Sequence, residues 1–478
     1  MIAADNTPIL VGVSQQTYRD TGNPERTPTD ALQEALQGAL DNTGKGDALR
    51  GAIDALCTEP SLLEVSEELA ALLNRFPGPE LAKRLGFDNA QCLKAPNGGN
   101  GPQMLINHFA DELNRGKRRA VAICGGELTA SFRTLLGGGG DIGHWQQGAS
   151  GDTEQPWAER DGAHAQEHKH NLWLPTHMYA LFENALRHRY GHSLQQHQQH
   201  IGKIMQGLSD TAAANPDAWS YQRPRSAEQL TGFNERSPCL ALPYNKYLCA
   251  QMNIDMAAAV IMTTVGTARE LGIDEDRWVY LNGCAEVNDV WFVGERADLS
   301  RSNAVALAGK TALARANCEI DDIALMDIYS CFPCAVELAC DALGIDPFGE
   351  RALSLAGGLP FFGDLLLFAL GNFPGGGKSG VGDFCFCSRG PGCLRISSIL
   401  SWIILSVPPL LFISSSLRAL LSASASFALL FCSPSGIAFA LGNWSAAPAA
   451  RFLCNSCHDL SLGALSQASR SWTPSRCP

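Results

Sequence analysis

The sequence predicts an α/β protein whose sheet is largely parallel and covered on both faces. Three observations carry this. Short apolar runs that read as strands alternate with amphipathic helical stretches at βαβ spacing from Pro8 to Glu127. The alternation resumes after a long polar insertion, which implies a duplicated architecture of two similar α/β halves. The 478 residues are 45% hydrophobic, enough for a sizeable core and for two or three domains.

The elements follow in order. Pro8-Ile-Leu-Val-Gly-Val13 reads as a strand, and Thr29 or Asp30 caps a helix striped by Leu32, Leu36, Ala39 and Leu40. Ala52 to Cys57 is a second strand, and Pro79 to Leu85 a short helix stopped by Gly86. Asn97-Gly-Gly-Asn-Gly-Pro102 is a tight turn into a helix carrying Met104, Leu105, Phe109 and Leu113. Arg119 to Cys124 is a strand ending in Gly125-Gly126-Glu127. From Gly137 the chain becomes glycine-rich, then His-rich, and helical from about Pro175 to Met205. Asn253 to Thr264 is an apolar strand. Arg277 to Leu281 opens the second series, and Ser302 to Ala316 is its helix. The expected domains are 1–132 with 250–273, an insertion at 133–249, a second half at 274–364, and a tail at 365–478.

The stretch Ile323–Leu343 holds the candidate chemistry. Ile323 to Ile328 reads as a buried strand, and Ala335, Leu338, Ala339, Ala342 and Leu343 fall on one helix face. Between them, Ser330 suits an N-cap and Pro333 the first helical turn. Cys331 then lies near the positive end of the helix dipole, which lowers a thiol's pKa and favours a nucleophile or proton donor. The competing reading is one more buried core cysteine.

The net charge of −12 and the lack of a basic stripe argue against nucleic acid as a partner. Met1-Ile-Ala-Ala-Asp-Asn has neither the basic start nor the apolar run of a signal peptide, so a cytoplasmic location is expected. The 17 cysteines read mostly as free thiols. Charge is uneven. Residues 365–478 hold only two of the 48 acids, Asp383 and Asp459, alongside seven bases, 21 serines and seven cysteines.

With these residues placed, the chain resembles the thiolase superfamily, in its sterol-carrier-type and thiolase-like branch, over about residues 8–363. Gly125-Gly-Glu127, Met178-Tyr-Ala-Leu-Phe-Glu-Asn184, Asn215-Pro-Asp-Ala-Trp219, Pro243-Tyr-Asn-Lys246 and Asp255-Met-Ala-Ala-Ala259 match that branch in order and spacing. Asp327-Ile-Tyr-Ser-Cys-Phe-Pro333 stands where the branch has His-Asp-Cys-Phe. The resemblance implies two βαβαβαββ halves in a layered αβαβα arrangement, the second incomplete here, with a loop domain inserted in the first. It also implies coenzyme A thioesters as substrates, no further cofactor, and a homodimer. Claisen chemistry in the family needs a thiolate nucleophile, an acid/base group and two oxyanion holes.

The chain departs from that pattern at several points. Gly98, in the run Gly98-Gly99-Asn100-Gly101, occupies the nucleophile's position, and Cys92 lies ahead of the turn. Backbone N–H groups of the turn remain able to hold a thioester oxygen, the alternative being a purely structural turn. Gly357-Gly358 matches the start of the family's Gly-His-Pro loop, with Asp364 where the His would fall. Cys331 matches the cysteine of the His-Asp-Cys-Phe motif, and Tyr329 stands in for its histidine as an oxyanion donor. The expected sites are therefore Cys331 and Tyr329 for catalysis, with Gly98, Gly99, Asn100, Gly101, Gly357 and Gly358 for substrate. The expected function is a thiolase-like acyltransferase of the acetyl-CoA acetyltransferase type, in lipid metabolism. The alternatives are a non-catalytic acyl-CoA-binding protein and a frameshifted product without function.

Residues from about 364 onward read as out of frame, without strand or helix periodicity, and the 365–478 tail is expected to be disordered. The rival reading is a membrane span at Ile396–Leu417, set aside for its seven serines and Pro408-Pro409. Cys454-Asn-Ser-Cys-His458 as a haem site and Gly377-Lys-Ser379 as a phosphate loop are also set aside. No metal site is expected. His164 and His168 have zincin-like spacing but lie in a polar loop, and His188, His192, His197 and His200 read as surface.

Overall fold

The computed structural model describes residues 4–149 and 151–363, and the backbone of Ala428–Ser433 and Gly436–Leu441. The chain divides into two compact units, Met1–Phe412 and Ile413–Pro478. In the second unit, Ala428–Ser433 and Gly436–Leu441 form an antiparallel pair in which Ser433 faces Gly436. At these residues the pair departs from the expectation of a disordered tail, since short apolar runs can pair through backbone without an alternating pattern. Asp364, the Ile396–Leu417 span, Gly377–Ser379 and Cys454–His458 lie outside the described residues. Among the described residues no helix is long and apolar enough to cross a membrane.

The first unit is built on one six-stranded sheet. Its strands are β1 (Pro8–Thr17), β2 (Ile53–Thr58), β3 (Gln91–Lys94), β4 (Ala120–Leu128), β5 (Asp255–Thr264) and β6 (Val279–Tyr280). Their spatial order is β3-β2-β4-β5-β1-β6. Only the β2–β3 and β2–β4 ladders are parallel, so the sheet is mixed rather than largely parallel. The reversed strands are β5 and β6: Leu128 pairs with Asp255, so β5 runs back along β4, and Val279–Tyr280 runs against β1. The β4 strand also runs through Gly125-Gly126 instead of stopping there, because β5 pairs with it along its whole length.

Both faces of the sheet are buried. Val121, Ile123, Val260 and Met262 share a core with Leu105 and Phe109 of α3 (Gly101–Asn114). On alternate positions, Gly12 lets the backbone of Ala39 in α1 (Pro28–Asn42) approach too closely for any Cβ. Helix α1 is capped by Thr27, not by Thr29 or Asp30. Pro28 fills the first helical position, so the cap must precede it, and Asp30 closes a capping box at 3.1 and 2.9 Å. Helix α2 (Gly78–Leu85) ends at left-handed Gly86 as expected.

The stretch expected to be helical from about Pro175 to Met205 is two helices, α4 (Pro175–Arg189) and α5 (Leu194–Ala214), separated near Gly191 at φ 69°. The second half contributes α6 (Asn303–Ala316) and α7 (Pro333–Leu343). The expected strand at Ile323–Ile328 is absent. A strand exists only through its ladder. Ile328 N–H donates to Leu353 at 2.8 Å, but no regular pairing runs along residues 323–330. The ten cysteines among the described residues are free thiols.

Candidate thioester site

The turn Asn97–Gly101 links β3 to α3. It closes through Gly101 N–H donating to Gly98 O at 2.9 Å, and Pro102 occupies the first helical turn. The face of α3 bearing Leu105, Ile106, Phe109 and Leu113 is buried, which anchors the helix and so the turn. No side chain caps α3, so the positive end of its dipole faces the glycines, while Gly101 and Met104 N–H bond back to Gly98 and Asn100 and Pro102 has no N–H.

Two side chains from distant segments close on this turn. A Cβ at Gly99 would overlap the Tyr329 hydroxyl. The structure thus brings together Tyr329 and the glycine turn, more than 200 residues apart in the chain. A Cβ at Gly101 would lie 2.5 and 2.7 Å from the two carboxyl oxygens of Glu59. Glu59 directly follows β2, and its N–H donates to Cys124 O at 2.9 Å. It is 5% exposed, and among the described residues neither carboxyl oxygen has a hydrogen-bond partner. Burial holds its carboxyl well above the ordinary carboxylate range, which favours the neutral acid. Sequence reasoning missed Glu59. The available signal was an ionisable residue immediately after the apolar run Ala52–Cys57, where a buried parallel strand ends.

Cys331 is buried beside α4. It is a hydrogen-bond partner of the Tyr179 hydroxyl, which burial pushes far up. Phe332 stacks on Tyr179 and on Tyr244 at centroid distances of 4.3 and 5.3 Å. Pro333 opens α7 as expected, but the N-cap is Phe332 and has no side-chain cap bond. The Ser330 hydroxyl accepts instead from Leu359 N–H at 3.1 Å. A tertiary contact has replaced the local cap.

Gly357 and Gly358 sit against the same segment. Their φ angles of 111° and 74° favour glycine, and Cβ atoms there would strike the backbone of Ala212 and the Ser330 hydroxyl. Both N–H groups donate to Ser354 Oγ at 3.0 Å. The Ser354 hydroxyl in turn donates to Asp327 at 2.6 Å. The pair of glycines therefore braces the Asp327–Cys331 segment, and their amides are engaged within the loop.

Asp327 gives this brace a pH dependence. Burial pushes its carboxyl up to about 7 from an ordinary 3.8, against the opposing pull of Ser354 and the Leu355 N–H. The folded chain thus holds a proton that the unfolded chain has lost, and stability falls as pH rises from about 4 to about 7. An Asp327→Asn variant keeps the acceptor oxygen and removes the ionisation. Thermal unfolding should show it more stable than the natural chain by about 2 kcal/mol at pH 8, a value reduced for the partial exposure of Asp327. The two should be nearly equal at pH 4. Equal stability at both pH values would refute this account.

No family model matches the chain. The acetyl-CoA acetyltransferase of Methanothermobacter thermautotrophicus is 27% identical over 207 residues, 43% of this chain and 48% of that protein. The chain therefore spans about half the length of the curated relative it matches. A monomeric SCP2-thiolase-like protein type 1 from Mycobacterium smegmatis superposes with a TM-score of 0.60 at 28% identity, over 77% of this chain and 69% of that one. The dimeric peroxisomal thiolase of Saccharomyces cerevisiae superposes with a TM-score of 0.52 at 13% identity, over 78% and 90%, a likeness of fold alone. The chain has the thiolase fold. Within that class, it resembles the sterol-carrier-type, thiolase-like branch.

Proposed function

We propose that this thiolase-like chain is an acyltransferase of the acetyl-CoA acetyltransferase type. In this reading it seats an acyl-CoA thioester against the Gly98–Gly101 turn and acts without an acyl-enzyme. The observation that carries the reading is the Tyr329 hydroxyl packed on Gly99, beside a position 98 that has no side chain to acylate. Backbone N–H groups of the glycine turn, the dipole of α3 and the Tyr329 hydroxyl polarise the substrate carbonyl. Glu59, held neutral, adds a third donor at the same turn.

In the thiolytic direction, the thiol of free coenzyme A adds to the 3-keto carbon of a 3-oxoacyl-CoA. The C2–C3 bond breaks, and its electron pair stays on C2. The Cys331 thiol delivers a proton there and is reprotonated by the proton the attacking thiol released. Coenzyme A thioesters are substrates in this scheme. A homodimer and a role in lipid metabolism remain expectations from the same resemblance.

The second reading is acyl-CoA binding without catalysis. It is favoured by Gly98 and by the burial of Cys331 against Tyr179. Incubation with acetoacetyl-CoA and coenzyme A separates the two. Loss of enolate absorbance that falls at least ~100-fold in Cys331→Ala supports catalysis. Calorimetric binding without turnover supports the binding protein. Neither turnover nor binding would defeat both readings.

A further inference from the structure

A second polar cluster lies away from the glycine turn, where α4, α5 and α7 meet. Glu183 comes from α4, His197 from α5 and Glu337 from α7, one turn beyond Pro333. Glu183 and His197 are 0% exposed and Glu337 1%. One donor atom of each lies within 4.8 Å of the others. No step of the proposed reaction uses them.

The sequence reading placed His197 on the surface, and the structure corrects it. His197 falls in the same stripe as Ile201, Ile204, Met205 and Leu208, so the apolar face of α5 carries it into the core. Neither His164 nor His168 belongs to this cluster, and the loop expected around them is helical at Ala165–Lys169. His164 caps a short helix and His168 pairs with Asp161 at 3.1 Å.

Two buried carboxyl groups facing one imidazole need a cation or a shared proton between them. Glu337 shares a side-chain hydrogen bond with the Glu183 carboxyl, and His200 Nε2 lies 3.2 Å from one Glu337 oxygen. The surrounding groups are arranged as supports. The Tyr244 hydroxyl donates to Glu183 at 2.7 Å. His192 meets His197 Nδ1 at 3.4 Å, leaving His197 Nε2 turned to Glu183 at 2.5 Å.

We propose that Glu183, His197 and Glu337, with His200 as a fourth donor, form a buried site for a divalent cation of the zinc type. Mixed imidazole and carboxylate donors suit such an ion. Its role is structural: it ties α4 and α5 of the insertion to α7, the helix that follows Cys331. The inference does not depend on thioester binding.

The test uses the full chain without a polyhistidine tag, expressed in zinc-supplemented medium. Metal content by mass spectrometry should approach one zinc per chain. After chelation, added zinc should raise the melting temperature. The near-isosteric Glu337→Gln variant should lose zinc affinity by more than roughly 100-fold, because even a supporting contact to a ligand is worth 10–100-fold. A natural chain that purifies without metal and whose melting temperature ignores zinc would overturn the proposal in favour of a shared proton. So would a folded Glu337→Gln variant that binds zinc as tightly as the natural chain.

Discussion

A Gly98→Cys variant is expected to form a covalent acyl-enzyme that the natural chain cannot form. Position 98 has room for the change. A Cβ there meets only the side-chain oxygen of Asn100, at 2.8 Å, which is the movable end of a half-buried residue. Its φ lies outside the left-handed region, so the backbone accepts a side chain. The new thiol would sit just ahead of uncapped α3, whose dipole favours the thiolate. Intact-protein mass spectrometry after incubation with acetyl-CoA should show one added acetyl group, mapped by peptide analysis to position 98. The natural chain should show none there. Cys92 should stay unlabelled, because it is buried and packs against Gly78. A well-folded variant that gains no acetyl group would refute the placement of the thioester at this turn.

Gly101→Ala is expected to cost about 2–3 kcal/mol of stability and to abolish thioester binding. Its Cβ would lie 2.5–2.9 Å from the carboxyl group of Glu59, which is buried and cannot retreat into water. Helix α3 cannot retreat either, because Phe109 and Leu113 are fully buried beneath it. The double variant Gly101→Ala with Glu59→Ala should recover most of the stability, a coupling read directly from a double-mutant cycle. It should not recover binding if the Glu59 acid is a donor to the substrate. Additive losses in the cycle would show that the two residues do not meet. Gly99→Ala makes a useful contrast. It displaces the half-buried Tyr329 hydroxyl, so it should lower binding with a smaller loss of stability.

Much of the framework was legible because local chemistry and tertiary structure agree there. The Asn97–Pro102 turn, the face of α3, Pro333 opening α7 and the buried β5 run all follow from turn residues, helical spacing and continuous apolar strands. The misreadings share one cause. Ile323–Ile328 has a strand's composition but no ladder partner among the described residues. Ser330 has a cap's chemistry but spends its hydroxyl on Leu359. His197 looks polar in a line of text but lies on the apolar stripe of its helix. In each case a long-range partner, or the lack of one, overrode a local preference.

The order of residues by itself determined the kind of fold and the absence of a nucleophile at position 98. It also determined the glycines through which other groups approach the turn, because each of these depends on spacing and side-chain size along the chain. Tertiary structure alone decided that Tyr329 and Glu59 share that turn, and that Glu183, His197 and Glu337 share a buried cluster. Those groupings join segments tens to hundreds of residues apart. Their electrostatics come from water excluded by the packing of the whole unit, which no local stretch encodes.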